Sequence, residues 1–163
     1  LMLKSKIELY LKLIFLISLI AIISAYYFEY ILGHQPCNLC LIERIPYVLA
    51  LIVLLINYKF RRNEKYFILL LIFIFIFSFI ISTYHFGIEQ GFFQESMICN
   101  IKEGVNILSK EELLKELQKI TISCKDVTFR VFGFSLTTIN VFISLLLVIL
   151  LTKIFTSYAK NKY

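Results

Sequence analysis

Four long apolar runs constrain this chain more than any other feature. Leu13 to Phe28 carries no charge, and the run reaches Leu32 if Glu29 is tolerated near its end. Leu39 to Tyr58, Tyr66 to Phe86 and Val131 to Thr152 follow. A helix of about 20 residues is about 30 Å long, the thickness of a bilayer's hydrocarbon core. A 163-residue chain that is 60% hydrophobic is not an ordinary soluble domain. The expected fold class is therefore an all-α membrane protein, a four-transmembrane-helix bundle forming one integral membrane domain over residues 1–163. Its spans are expected at about 13–32, 39–58, 66–86 and 131–152, with connections at 33–38 and 88–130. A signal peptide would have an apolar core of about 7–15 residues and a small-residue cleavage site. Tyr26, Tyr27 and Phe28 stand where that site would fall, so an uncleaved first span is expected.

The net charge of +6 then carries topology rather than nucleic-acid affinity. Lys4, Lys6 and Lys12 precede the first span, Lys59, Arg61, Arg62 and Lys65 fill the second connection, and Lys153, Lys160 and Lys162 end the chain. Under the positive-inside rule these segments are cytoplasmic. The 33–38 connection has no charge, and residues 88–130 set seven acidic against six basic side chains. Both face the other side. The chain has no Gly-rich phosphate loop and no basic stripe interleaved with readout residues, so no nucleic-acid partner is expected. Within 88–130, Ser109-Lys110-Glu111-Glu112 has the form of a capping box. Leu113, Leu114, Leu117 and Ile120 recur after it at helical spacing, predicting a short amphipathic helix.

The chemistry-bearing stretch is Pro36-Cys37-Asn38-Leu39-Cys40-Leu41-Ile42-Glu43-Arg44. On a helix Arg44 shares a face with Cys40. A helix beginning near Asn38 would also put Cys40 in its first turn, where the dipole and unpaired N–H groups favour an anion. A helix N-terminus and a nearby cation both lower a thiol pKa, so Cys40 reads as the thiolate-prone cysteine. Ile45 to Tyr58 is only 14 residues long, about 21 Å of helix. The span must therefore draw Glu43 and Arg44 below the membrane boundary, where charges are functional candidates. Pro46 lies inside this helix and frees one carbonyl. His85, at the end of the third span, is placed on the same membrane side as Cys40 and Arg44. Gly133 and Asn140 interrupt the fourth run.

All four cysteines fall at or beyond the outer boundary, where disulfides form. Four cysteines allow three pairings; the local one joins Cys37 to Cys40 and Cys99 to Cys124. Haem attachment needs a histidine where Leu41 stands. The gap between Cys99 and Cys124 is unlike a zinc knuckle, and no metal is expected. Two purely structural disulfides are the bland alternative. Closing the Cys99–Cys124 ring would stabilise the loop by about 3–4 kcal/mol in the chain-entropy model. A Cys-x-x-Cys ring is too short to gain much that way, and it gives Arg44 no role.

Pro-Cys-x-x-Cys-x-x-Glu-Arg at 36–44 resembles the signature of the disulfide bond formation protein B (DsbB) family. Tyr84-His85-x-Gly87-x-Glu89, Cys99, Cys124 and Phe132-Gly133-x-Ser135 with Asn140 behind it are similar to the same family, in order and topology over nearly the whole chain. The vitamin K epoxide reductase family uses similar chemistry, but there the loop pair precedes the Cys-x-x-Cys. The resemblance implies a multi-pass protein of the bacterial inner membrane, its cysteines on the periplasmic side and its amphipathic segment lying on the bilayer. It implies an enzyme, a quinone-dependent thiol oxidase. A periplasmic thioredoxin-like DsbA-type partner would attack the Cys99–Cys124 disulfide at Cys99. Electrons would pass to Cys37–Cys40 by exchange, with Cys37 attacking Cys124. Cys40 would hand them to a quinone, ubiquinone or menaquinone, whose carbonyl Arg44 and His85 would position. The alternative function is a non-enzymatic membrane scaffold with two structural disulfides.

Overall fold

The structure is a computed structural model that describes residues 2–59, 64–95, 99, 123–125, 130–131 and 133–160. Four long helices carry it: α1 (Met2–Tyr26), α2 (Asn38–Lys59), α3 (Glu64–Glu89) and α4 (Leu136–Lys160). Each is long and apolar enough to cross a membrane, with candidate spans Lys6–Ile31, Asn38–Lys59, Glu64–Glu89 and Leu136–Tyr158. The expected amphipathic helix at 109–120 lies outside the described residues.

The first span continues past Tyr26 as a π-helical turn, Tyr27–Ile31, which contains Glu29, close to the end expected at 32. The start of the fourth span differs from the sequence reading. The fourth span was expected from Val131, yet residues 130–135 form a small antiparallel hairpin, β1 (Arg130–Val131) paired with β2 (Phe134–Ser135). Two local features stop the helix from starting earlier. Gly133 turns the chain at φ +87°, a conformation that costs a glycine nothing. Ser135 then caps α4: its Oγ accepts the Thr138 N–H at 3.1 Å, satisfying an orphan donor of the first turn. An uncharged run says only that a segment can sit in lipid. It does not say where the helix within it begins.

The helices pack in chain order. α3 lies most closely against α4, α2 packs between α1 and α3, and α1 touches α4 lightly. An apolar core joins all four, with Ile7, Leu11 and Ile14 meeting Tyr47, Ala50, Val53, Ile68, Leu71, Phe75, Leu147 and Leu151. Many large apolar side chains point outward, among them Ile52, Phe73, Phe77, Phe142 and Leu146, as a lipid-facing surface requires. Because lipid is as apolar as leucine, burying such residues between helices gains little; close packing and interhelical hydrogen bonds hold the bundle instead. Ser78 and Ser144 supply one bond, with their hydroxyls 2.9 Å apart across α3 and α4.

A second, smaller buried cluster caps the other end of the bundle: Cys37, Leu39, Ile88, Cys99 and Cys124, with Cys40, Ile42 and Tyr84 against it. The end of α3 is shaped for this. A Cβ on Gly87 would fall 2.3 Å from the Phe93 ring, and the Phe92 N–H donates back to the Gly87 carbonyl at 2.8 Å. The missing side chain at Gly87 lets the chain fold over the helix end. Glu89 ties that end to α4, accepting from Ser135 Oγ at 2.6 Å and Thr137 Oγ1 at 2.7 Å.

Candidate redox site

Cys37 is the residue before α2 and acts as its cap. The Cys40 N–H donates to Cys37 Sγ at 3.2 Å, and the Leu41 N–H donates to the Cys37 carbonyl. As the sequence reading expected, the helix begins at Asn38 with Cys40 in its first turn; the sulfur that caps it is that of Cys37. The reason lies in cap geometry. A residue in the first turn supplies an N–H, whereas the residue before the helix can turn its side chain to accept one. Hydrogen bonding from Cys40 lowers the Cys37 pKa most, burial opposes it, and the His85 ring adds to the lowering. The result is a shift from 9.0 to about 5, so Cys37 is a thiolate at neutral pH. Cys37 and Cys40 are both free thiols here, while Cys99 and Cys124 form a disulfide. Of the two expected local pairs, the loop pair is joined and the Cys-x-x-Cys pair is open. With Cys99 and Cys124 bonded to each other, the four sulfurs do not form a zinc site.

His85, from the last turn of α3, faces the two sulfurs. Cys37 Sγ, Cys40 Sγ and a ring nitrogen of His85 all lie within 4.8 Å of one another, and Cys37 Sγ is 3.6 Å from His85 Nε2. The other ring nitrogen, Nδ1, is 2.8 Å from Glu43 Oε1 and 3.4 Å from Thr137 Oγ1. His85 is 1% exposed. With one nitrogen on a sulfur and the other on a carboxylate, its ring has no free edge for a quinone oxygen. Among the described contacts, His85 serves Cys37 and Glu43.

Glu43 opens a polar seam between the helices. Its Oε2 accepts from Asn140 Nδ2 at 2.8 Å. Asn140 Oδ1 in turn accepts from the Tyr47 hydroxyl, which lies 3.4 Å from Ser144 Oγ. The sequence reading named Glu43 and Asn140 without joining them. A signal was present: Thr137, Asn140 and Ser144 fall at helical spacing in one apolar run, and Ser78, Ser82, His85 and Glu89 do so in another. Polar residues on one stripe of a transmembrane helix face the bundle interior and find partners there.

Arg44 sits on the other side of α2. Its Nη1 donates to Glu29 Oε2 at 2.5 Å, and the guanidinium lies 5.2 Å from the centre of the Tyr26 ring. The two side chains are 15% and 21% exposed. This pair explains how Glu29 is tolerated inside the first span, since a charge in the membrane needs a partner. Where the sequence reading brought Arg44 toward Cys40, the structure sets it against Glu29 and Tyr26. A guanidinium has five donors, so one carboxylate does not exhaust it. Leu41 and Ile45, 45% and 51% exposed, flank it on the same helix. Cys40, half-buried, lies one turn above. These residues fit a flat apolar ring with carbonyl acceptors that approaches from the lipid: apolar walls, an aromatic face, a fixed donor fork and a nearby sulfur.

The profile of the family described as disulfide bond formation protein DsbB matches residues 8–154. The chain is also 35% identical over 150 residues to uncharacterized protein RP370 of Rickettsia prowazekii (strain Madrid E), covering 90% of this chain and 86% of that one. No solved structure matches.

Proposed function

The chain belongs to the disulfide bond formation protein B (DsbB) family, and on that footing we propose that it is a quinone-dependent thiol oxidase serving a periplasmic DsbA-type dithiol protein. The family's work is disulfide-bond formation at a membrane with a thiol–disulfide partner, and the four membrane-spanning-capable helices fit a multi-pass protein. The basic flanks of the inner segments support a periplasmic position for the cysteines in a bacterial inner membrane.

One observation carries the proposal. The Cys99–Cys124 disulfide and Cys37 share one buried cluster at one end of the bundle, and the half-buried Cys40 packs against it. Exchange needs a thiolate and an accessible sulfur, and this cluster brings both pairs together. The partner's thiolate attacks Cys99, and Cys124 leaves as a thiolate. Cys124 then attacks Cys37 in an oxidised Cys37–Cys40 pair, and Cys40 leaves. This reverses the direction expected from the sequence, because electrons moving inward require the loop sulfur to be the nucleophile. Bound near Arg44, a quinone supplies the sink for two electrons and two protons. The sum is partner dithiol plus quinone giving partner disulfide plus hydroquinone. The partner's second thiolate then releases Cys99, and Cys99 attacks Cys124, restoring the loop disulfide and freeing Cys37. Arg44 would hold an acceptor oxygen in a fixed direction, and the reduced Cys37 and Cys40 would close their own disulfide as the electron pair leaves.

Single-turnover chemistry tests this. Purified protein, reduced at Cys37 and Cys40 and mixed with a water-soluble ubiquinone analogue, is expected to consume one quinone per Cys37–Cys40 disulfide formed. Mass spectrometry of each cysteine and the quinone absorbance give the two counts. Thiols that stay reduced with quinone in excess would favour the scaffold reading.

A further inference from the structure

The acid–base side of this chemistry is built into groups that neither the cysteine motif nor the quinone explains. We propose that His85 is the proton acceptor of Cys37 and that Glu43, held by Asn140, is the positioning residue that fixes the ring for it, making Cys37, His85, Glu43 and Asn140 one hydrogen-bonded unit across α2, α3 and α4. The proposal deepens the oxidase reading and rests on it for its purpose.

The geometry assigns each atom a task. Glu43 Oε1 stands 2.8 Å from His85 Nδ1. A carboxylate can only accept, so Nδ1 carries a hydrogen and donates it. That fixes the tautomer and turns the lone pair of Nε2 toward Cys37 Sγ at 3.6 Å. A carboxylate behind a histidine sets ring orientation and basicity in this way. Glu43 is itself held: its second oxygen takes the Asn140 amide at 2.8 Å. Asn140 is held by the Tyr47 hydroxyl. Glu43 is 7% exposed and His85 1%, so water cannot easily substitute for either. A hydrogen-bonded chain this deep in the bundle is costly unless every member is satisfied, and the described bonds satisfy its members.

The proton bookkeeping is as follows. In the reduced pair His85 Nε2 has taken the Cys37 proton, leaving the Cys37 thiolate beside the Cys40 thiol. When the pair is oxidised, the Cys40 S–H bond breaks and one S–S bond forms. The electron pair would go to the quinone of the proposed function, with one proton from Cys40 and one from His85 or from water. Among the described residues, few groups face this pair. Cys37 meets His85 from α3 and Cys40 from its own helix, beside a disulfide that does not titrate. His85 meets Glu43 from α2 and Thr137 from α4, with Glu89 behind Thr137.

The test needs no quinone, so its failure is distinct from a failure of the oxidase reading. Reduced, detergent-solubilised protein is alkylated with iodoacetamide from pH 4 to pH 9, and the rate at Cys37 is read by mass spectrometry. Wild type is expected to show a Cys37 midpoint near 5. Glu43→Gln keeps the shape of the side chain and removes the anion. It is expected to move the midpoint up by about one unit or more and slow alkylation at pH 4 about tenfold. Quinone-linked oxidation should fall below the new midpoint and recover above it, which a merely structural lesion would not do. Asn140→Ser leaves the carboxylate but loosens it, and should shift the midpoint less, in the same direction; it serves as the measurement if Glu43→Gln does not fold. A Cys37 profile unchanged from wild type in a folded variant of either kind overturns the proposal.

Discussion

Replacing Cys124 by alanine drops oxidation of the protein partner to the uncatalysed background, while oxidation of a small dithiol through Cys37 and Cys40 continues. The reason is a chain of sulfurs with one link removed. Cys99 can still be attacked only if it is in a disulfide, and with Cys124 gone it has no partner to form one. The loss is therefore one of connectivity, larger than any tuning of rates. A second consequence must be separated from it. The Cys99–Cys124 bond closes a ring whose removal costs about 3–4 kcal/mol in the chain-entropy model, and a loosened loop alone would weaken partner docking. The small dithiol makes the distinction, because it needs only a folded bundle and the open Cys-x-x-Cys. Partner turnover at the wild-type rate in Cys124→Ala would mean the loop pair is not a relay.

Arg44→Ala is expected to weaken quinone use by about 10- to 100-fold. A hydrogen bond to a charged group contributes about 1.5–3 kcal/mol, and each 1.4 kcal/mol is tenfold in affinity. The structure adds a complication that the spacing of Cys40 and Arg44 does not show. Arg44 is paired with Glu29, so alanine leaves a carboxylate within the span without its cation. Glu29→Gln is the control: alone, it frees the guanidinium and should leave quinone use near wild type or improve it. Combined with Arg44→Ala, it should restore stability without restoring quinone use. Arg44→Lys keeps the charge but loses the planar fork, and is expected to fall between wild type and alanine. The measurement is quinone-dependent turnover against quinone concentration, where the loss should appear mainly in KM. If Arg44→Ala matched wild type, Arg44 would serve only to neutralise Glu29, and the quinone would have to meet Cys40 by another route.

The four long apolar helices and the Cys99–Cys124 pair were legible in the sequence because they follow from length, charge and cysteine spacing. Which partner each polar group would take was not. Arg44 could be placed at the boundary, but its ion pair with Glu29 joins residues on different helices, and no single-helix periodicity encodes that. The helix begins at Asn38 as expected, but which sulfur turns to cap it is set by side-chain direction, which hydrophobic pattern does not carry. The start of α4 failed for the same reason, since Gly133 and Ser135 act through backbone angle and capping. The seam from Glu43 to Ser144 was half visible, as polar residues at helical spacing. Joining them required knowing that α3 and α4 pack face to face.

The central claim is that one electron pair runs from a protein dithiol through both cysteine pairs to a quinone. The measurement that tests it most directly is steady-state turnover of the purified protein in lipid nanodiscs with a reduced DsbA-type partner and ubiquinone or menaquinone. Hydroquinone and partner disulfide are counted together. The account predicts one hydroquinone for each partner disulfide, and in Cys40→Ser no hydroquinone and no partner disulfide beyond the one stored in Cys99–Cys124. Partner disulfide accumulating without hydroquinone, or hydroquinone formed at the wild-type rate in Cys40→Ser, would contradict it.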